Sequence, residues 1–180
     1  MRIVLATACS KHWIVHQLDV KSAFLNGYID EEIYMQLPPE YACADGKVCK
    51  LKRSIYGLRQ APRAWNKRLC EDLKGSGFKA LVNAESVFYG VITGSVVYLI
   101  IYVDDILVAS SSETAVLTAK KSLRELYKIK DLVDAEYFLG VKIERERNCL
   151  KHSQQSYVSS VLDRCGLQDC KRVASPIVQA

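Results

Sequence analysis

Ser95-Val96-Val97-Tyr98-Leu99-Ile100-Ile101-Tyr102-Val103-Asp104-Asp105-Ile106-Leu107-Val108-Ala109 is an apolar run, rich in β-branched residues, interrupted by two adjacent carboxylates. It is short, continuous and without the 3.6-residue period of an amphipathic helix. Val96 to Val103 therefore reads as a buried strand and Ile106 to Ala109 as its return partner. Asp104 and Asp105 then form the two-residue tip of a hairpin, where aspartate tolerates unusual turn dihedrals. Alone, such a tip is an ordinary turn, and the neighbouring segments must decide whether it is more.

Outward from this hairpin, Ser86 to Ile92 joins the first strand through Thr93-Gly94, which makes a meander. Ser110-Ser111-Ser112-Glu113 caps a helix running to Tyr127, with Leu117, Leu123 and Leu126 on an apolar stripe and Lys120 and Lys121 on a basic side. Upstream, His12 to Asp19 alternates as a strand ending in a carboxylate. Arg2 to Lys11 suits a helix that starts abruptly without a capping residue, and Lys21 to Gly27 reads as a tight helical turn closed by Asn26-Gly27. Ile33 to Gln36 and Val48 to Leu51 are short strands separated by a loop from Tyr41 to Gly46. Downstream, Tyr137 to Ile143 is a strand containing Gly140, and Leu150 to His152 pairs with it across a turn from Arg145 to Asn148. Ser153 to Cys165 is a last helix, ended by Gly166, and Ala174 to Ala180 reads as a linker that stops in mid-course.

With 180 residues, 49% of them hydrophobic, the chain can bury a real core. Its net charge of +5 permits a nucleic-acid partner without demanding one. The seven cysteines are odd in number and show no C-x-x-C pair, which argues against a zinc site or a secreted disulfide framework and for reduced intracellular thiols. No apolar run reaches the roughly 18 residues of a membrane span. No leader is visible, so a cytoplasmic chain with no membrane partner is expected.

Two charged stretches carry open readings. Lys50, Lys52, Arg53, Arg59, Arg63, Lys67 and Arg68, interleaved with Tyr56 and Trp65, suit a phosphate backbone and stacked bases. They equally suit the solvated side of an amphipathic helix that starts at Pro62 and repeats Trp65, Leu69 and Leu73 at i, i+4 and i+8; both can hold. Asp30-Glu31-Glu32 cannot turn three consecutive carboxylates to one ion and reads as a solvated turn.

If the strand ending in Asp19 lies beside the hairpin tip, three carboxylates converge, and a hard divalent cation such as Mg2+ best relieves their repulsion. Two such ions, about 3.5 to 4 Å apart, serve in-line phosphoryl transfer. The element order also fits a split β-α-β sheet.

Gln17-Leu18-Asp19-Val20-Lys21-Ser22-Ala23-Phe24-Leu25-Asn26-Gly27, Ile33-Tyr34-Met35, Val48-Cys49-Lys50-Leu51, Ser54-Ile55-Tyr56-Gly57-Leu58-Arg59-Gln60-Ala61-Pro62-Arg63-Ala64-Trp65, Tyr102-Val103-Asp104-Asp105 and Phe138-Leu139-Gly140-Val141 follow one another along the chain. In that order they resemble the signature blocks of the reverse transcriptase of copia-type LTR retrotransposons. The resemblance implies an α+β polymerase palm whose antiparallel sheet has a split β-α-β (ferredoxin-like) arrangement flanked by helices, with incomplete fingers and thumb. It implies a partial reverse transcriptase domain over 1–177 and a truncated tail over 178–180.

By the same resemblance Asp19, the Val20 carbonyl, Asp104 and Asp105 are metal-binding, and Asp19, Asp104 and Asp105 catalytic, with two Mg2+ ions or Mn2+ in their place. Phe24 matches the aromatic that lies under the incoming sugar and excludes a 2′-hydroxyl. Tyr56, Gly57 and Gln60 match a block facing template and nucleotide, Arg59 and Lys130 match phosphate contacts, and Phe138, Leu139 and Gly140 match a hairpin that grips the primer. The implied partners are an RNA or DNA template with its primer, deoxynucleoside triphosphates and the rest of a Pol polyprotein. The implied setting is the cytoplasm, within a virus-like particle. Fingers would precede residue 1, and most of the thumb and an RNase H domain would follow residue 180.

The sequence departs from the family pattern at Val133 and Glu40, where Gly is usual, and at Asn66, where an aromatic is common; none of these removes a metal ligand. The alternatives are a decayed or domesticated remnant that folds and binds nucleic acid without polymerising, and a metal-dependent phosphohydrolase or cyclase on a similar sheet. The Tyr56 to Trp65 and Phe138 to Gly140 blocks argue against the second.

Overall fold

The apolar runs become the centre of a six-stranded antiparallel sheet in a computed structural model that describes residues 1–41, 46–146 and 149–171. The predicted loop 41–46, turn 145–148, linker 174–180 and tail 178–180 lie wholly or partly outside those residues. The chain divides into two units, Met1–Ala135 and Glu136–Ala180.

In the first unit the order is α1 (Arg2–Ser10), β1 (Ile14–Val20), β2 (Tyr34–Gln36), β3 (Val48–Lys50), α2 (Ala61–Gly75), β4 (Lys79–Leu81), β5 (Ala84–Ile92), β6 (Ser95–Tyr102), β7 (Asp105–Ser110), α3 (Glu113–Leu126) and β8 (Ile129–Asp134). The sheet runs β4-β5-β6-β7-β1-β8, and β2 and β3 form a separate pair. One face of the sheet, from Leu18, Val20, Phe88, Val97, Leu99, Ile101, Ile106 and Val108, packs against Trp65, Leu69 and Leu73 of α2 and Ala115, Val116, Ala119 and Leu123 of α3. The i, i+4, i+8 stripe of α2 is fully buried, as its spacing predicts. On the other face Leu107 and Ala109 are also buried, and α1 packs on β7 there with Leu5 and Ala8 inside. Cover on both faces explains why β7 reads as a continuous apolar run rather than an alternating one.

Several expectations need correction. The hairpin tip is Val103-Asp104, because Tyr102 pairs with Asp105 and Asp105 opens β7. Val103 has φ 54°, a left-handed conformation that a β-branched side chain resists. Strands β4 and β8 carry weak sequence signals: both lie at the sheet's edges, β4 has three residues, and β8 contains two aspartates and a register shift opposite Gln17/Leu18. On α3 the Ser112 hydroxyl accepts from the Ala115 N–H, as the cap predicts. Lys120, however, is buried, whereas Leu117 is exposed.

Lys120 is buried because it closes a polar network between α3, β1 and β8. Its Nζ lies 2.7 Å from Asp131 Oδ2 and 3.0 Å from His16 Nδ1, and Arg124 donates to the same Asp131 oxygen at 2.6 Å. Burial and the adjacent Lys120 cation hold the His16 imidazole below its ordinary pKa. Between that lowered value and about 6.5 the unfolded chain binds the extra proton, so His16's contribution is complete above about pH 6.5 and is lost as pH falls below it. Urea midpoints at pH 7.5 and 5.5 should therefore differ more for the native chain than for His16→Gln.

At the β8 bulge Val133 has φ 60° and is more than half exposed. A glycine, which the resemblance implies at this position, would adopt that φ without strain. Val133→Gly should raise stability by about 1 kcal/mol, the cost of a left-handed residue with a Cβ, read as a higher urea midpoint at unchanged slope.

The second unit contains β9 (Tyr137–Phe138), β10 (Val141–Glu146), β11 (Cys149–Ser153) and α4 (Gln155–Cys165). The single predicted strand from Tyr137 to Ile143 is split by a two-residue turn, Leu139-Gly140, with φ 55° and 73° and with Phe138 paired to Val141. Two consecutive positive φ values make this a hairpin turn of the primed kind. Leu150 to His152 do pair with the preceding strand, but opposite Arg145 to Ile143, so Arg145 and Glu146, expected in the turn, extend β10 instead; α4 ends at Gly166 with φ 65°.

Candidate active site

Four strands meet at one end of the first unit's sheet, and their register lines up four polar side chains. Tyr102 on β6 pairs with Asp105 on β7, Asp105 with Asp19 on β1, and Asp19 with Lys130 on β8. Directly opposed residues of antiparallel strands share a face. Here it is the face away from α2 and α3, since Leu18, Val20, Ile101 and Ile106 occupy the core side. Asp104 stands beside this row in the turn, and its backbone carbonyl accepts from the Val20 N–H at 2.8 Å. The three sequence-predicted carboxylates thus come from two adjacent strand ends, with Lys130 as the neighbouring cation.

Gln17, two residues back on the same face of β1, donates from Nε2 to Asp105 Oδ1 at 3.0 Å. Sequence reasoning overlooked it, although the two-residue period that places Asp19 on this face places Gln17 there too. Burial, and then the Asp104 and Asp19 charges, push the Asp105 carboxyl above its ordinary value despite the Gln17 hydrogen bond. A raised folded pKa favours the fold at low pH and counts against it once pH has risen through that value. Asp105→Asn keeps the acceptor for Gln17 and removes the charge. It should therefore raise the thermal midpoint at pH 7.5, with a smaller gain at pH 4.

Asp19, Asp104 and Asp105 offer the carboxylate oxygens that a hard cation takes, and the resemblance would add the Val20 carbonyl. As the side chains stand, no three His, Cys, Asp or Glu among the described residues are gathered to hold an ion.

Phe24 reaches the site region from a 3-10 turn, Ala23–Asn26. Its carbonyl accepts from the buried Ser54 hydroxyl, and its ring meets Tyr56 with centroids 4.9 Å apart. Two predicted substrate residues from separate segments are thereby joined. Gly57 has φ 95° and is exposed, as is Arg59, while Gln60 donates to Glu31. A cavity of about 320 Å3 beneath the hairpin turn is lined by Phe24, Trp65, Phe88, Tyr102 and Val103, among others. Phe138, Leu139 and Gly140 belong to the second unit.

The basic stretch resolves into a mixed surface. Lys50 pairs with Glu32, Lys67 with Asp30 at 2.9 Å and Arg68 with Asp72 at 2.7 Å. The acidic turn is thus exposed and ion-paired. Trp65, considered for base stacking, is buried and so unavailable for it, while Tyr56 is exposed. Among the described residues no helix is long and apolar enough to cross a membrane.

Residues 1–179 match the family described as reverse transcriptase (RNA-dependent DNA polymerase). The retrovirus-related Pol polyprotein from transposon RE1 of Arabidopsis thaliana is 37% identical over 98% of the chain, and that from transposon TNT 1-94 of Nicotiana tabacum is 36% identical over 98%. The chain spans 12% and 14% of their respective lengths. A putative transposon Ty5-1 protein of Saccharomyces cerevisiae is 32% identical over 89% of the chain, which covers 53% of its length.

Proposed function

Because the chain belongs to the reverse transcriptase (RNA-dependent DNA polymerase) family, we propose that it is the palm-centred part, over 1–177, of a copia-type retrotransposon polymerase with a split β-α-β sheet. The parent protein adds deoxynucleotides to a primer 3′-hydroxyl on an RNA or DNA template. The observation that carries this reading is the register row of Asp105 and Asp19 with Asp104 in the adjoining turn. Asp19, Asp104, Asp105 and the Val20 carbonyl would hold Mg2+, or Mn2+ in its place, which would supply charge neutralisation at the reacting phosphate. Phe24, supported by Tyr56, contacts the sugar; Gly57 and Gln60 face the nascent pair; Arg59 and Lys130 meet phosphates; and Phe138, Leu139 and Gly140 hold the primer end. Triphosphates, primer-template and the remainder of a Pol polyprotein are its partners, in a cytoplasmic particle.

The test is extension of an oligo(dT) primer on poly(rA) with dTTP and Mg2+. Primer-dependent incorporation is the expected result. Turnover of free triphosphate without primer would indicate a cyclase or hydrolase instead. A second reading, a remnant that binds nucleic acid without polymerising, draws on the engagement of Asp105 by Gln17. It predicts a salt-dependent gel-shift on primer-template with no extension.

A further inference from the structure

Trp65 donates its indole Nε1–H to the Val103 carbonyl at 2.6 Å, from a side chain only 2% exposed. A buried indole N–H needs an acceptor, and this one is found on a turn of another element. The donor is itself fixed: its ring meets Tyr127 edge-on at 5.0 Å, the Tyr127 hydroxyl donates to Asp72, and Asp72 also takes the Arg68 Nε–H at 2.7 Å. The acceptor belongs to Val103, whose φ of 54° is held against the preference of its side chain. The next carbonyl, that of Asp104, is anchored from β1 by the Val20 N–H at 2.8 Å. Both peptide planes flanking the Asp104 Cα are thus tied, one by α2 and one by β1.

The geometry points to Trp65 as a positioning residue that holds the Val103-Asp104 turn, and through it aims the Asp104 carboxylate at the site. This inference rests on the proposed metal site. Loss of the indole N–H frees one of the two planes, lets the strained turn relax, and leaves Asp104 to be reordered whenever a cation binds.

The experiment measures Mn2+ binding to the whole chain by electron paramagnetic resonance. Trp65 is replaced by 3-benzothienylalanine, which keeps the ring shape and substitutes sulfur for the N–H. Trp65→Phe and Leu69→Ala, the latter a cut in the same core, are made alongside. The benzothienyl chain should fold with native near-ultraviolet dichroism and bind Mn2+ about tenfold more weakly, on the scale of one buried hydrogen bond. Trp65→Phe should follow it, whereas Leu69→Ala should lose stability while its folded form keeps native Mn2+ affinity. Native affinity in the benzothienyl chain overturns the positioning role and leaves the metal site standing. Native affinity in Asp104→Asn overturns the metal site, and the positioning role with it.

Discussion

Primer extension should fall by roughly a thousandfold or more in either Asp19→Asn or Asp104→Asn, with the fold retained in both. Each substitution keeps side-chain volume and removes one anion from a row where Asp19 and Asp105 are directly paired and Asp104 is anchored to the backbone of Val20. Phosphoryl transfer gives a protein little covalent work, so catalysis rests on position and charge neutralisation, and a lost carboxylate has no understudy. The discriminating measurement is extension rate against thermal midpoint. Rate loss without loss of fold identifies a functional carboxylate, and near-native synthesis by either variant would sink the assignment. A double variant should be little slower than either single one, since groups that act as a unit are not additive.

Gly27→Ala should destabilise the first unit by about 3 kcal/mol, the upper end for forcing an added methyl into a packed interior. A Cβ there would lie 2.8 Å from the Trp65 backbone nitrogen, 2.9 Å from the Ala64 carbonyl carbon and 2.9 Å from Ser54 Oγ. Two of these atoms are backbone of α2 and cannot swing aside. The φ of Gly27 is −71°, within reach of any residue, so close approach rather than backbone freedom demands glycine. Ser54 also donates its backbone N–H to the Gly27 carbonyl at 2.9 Å, and its hydroxyl to the carbonyl of Phe24. The damage should therefore spread from stability to the aromatic pair of Phe24 and Tyr56. A urea titration followed by near-ultraviolet dichroism reads both effects.

The meander, the α2 stripe and the α3 cap were legible in the sequence, because apolar period and turn residues carry them with little help from distant contacts. The carboxylate row was legible only in outline. Asp19 and the Asp104-Asp105 pair stood out as charges ending apolar runs, but their register depends on β1 pairing with β7, a contact between segments 86 residues apart at Asp19 and Asp105 (105 minus 19). The turn was misplaced by one residue because valine is a poor sequence signal for a left-handed position, and tertiary contacts, not propensity, hold it there. Lys120 reads from the sequence as part of the basic side of α3 for a similar reason. Only the fold reveals that Asp131 and His16 meet it inside.

The two-residue turn between Tyr102 and Asp105 has a consequence for how such a sequence can vary. Side chains alternate along a strand, so one residue added to or removed from that turn would shift β7 against β6 by a single step and send Asp105 to the core side, with Ile106 emerging in its place. A change of length there acts in space as a frameshift acts in a message, exchanging inside for outside along the whole strand. A change in the count of residues in this turn keeps the site only where a bulge absorbs it.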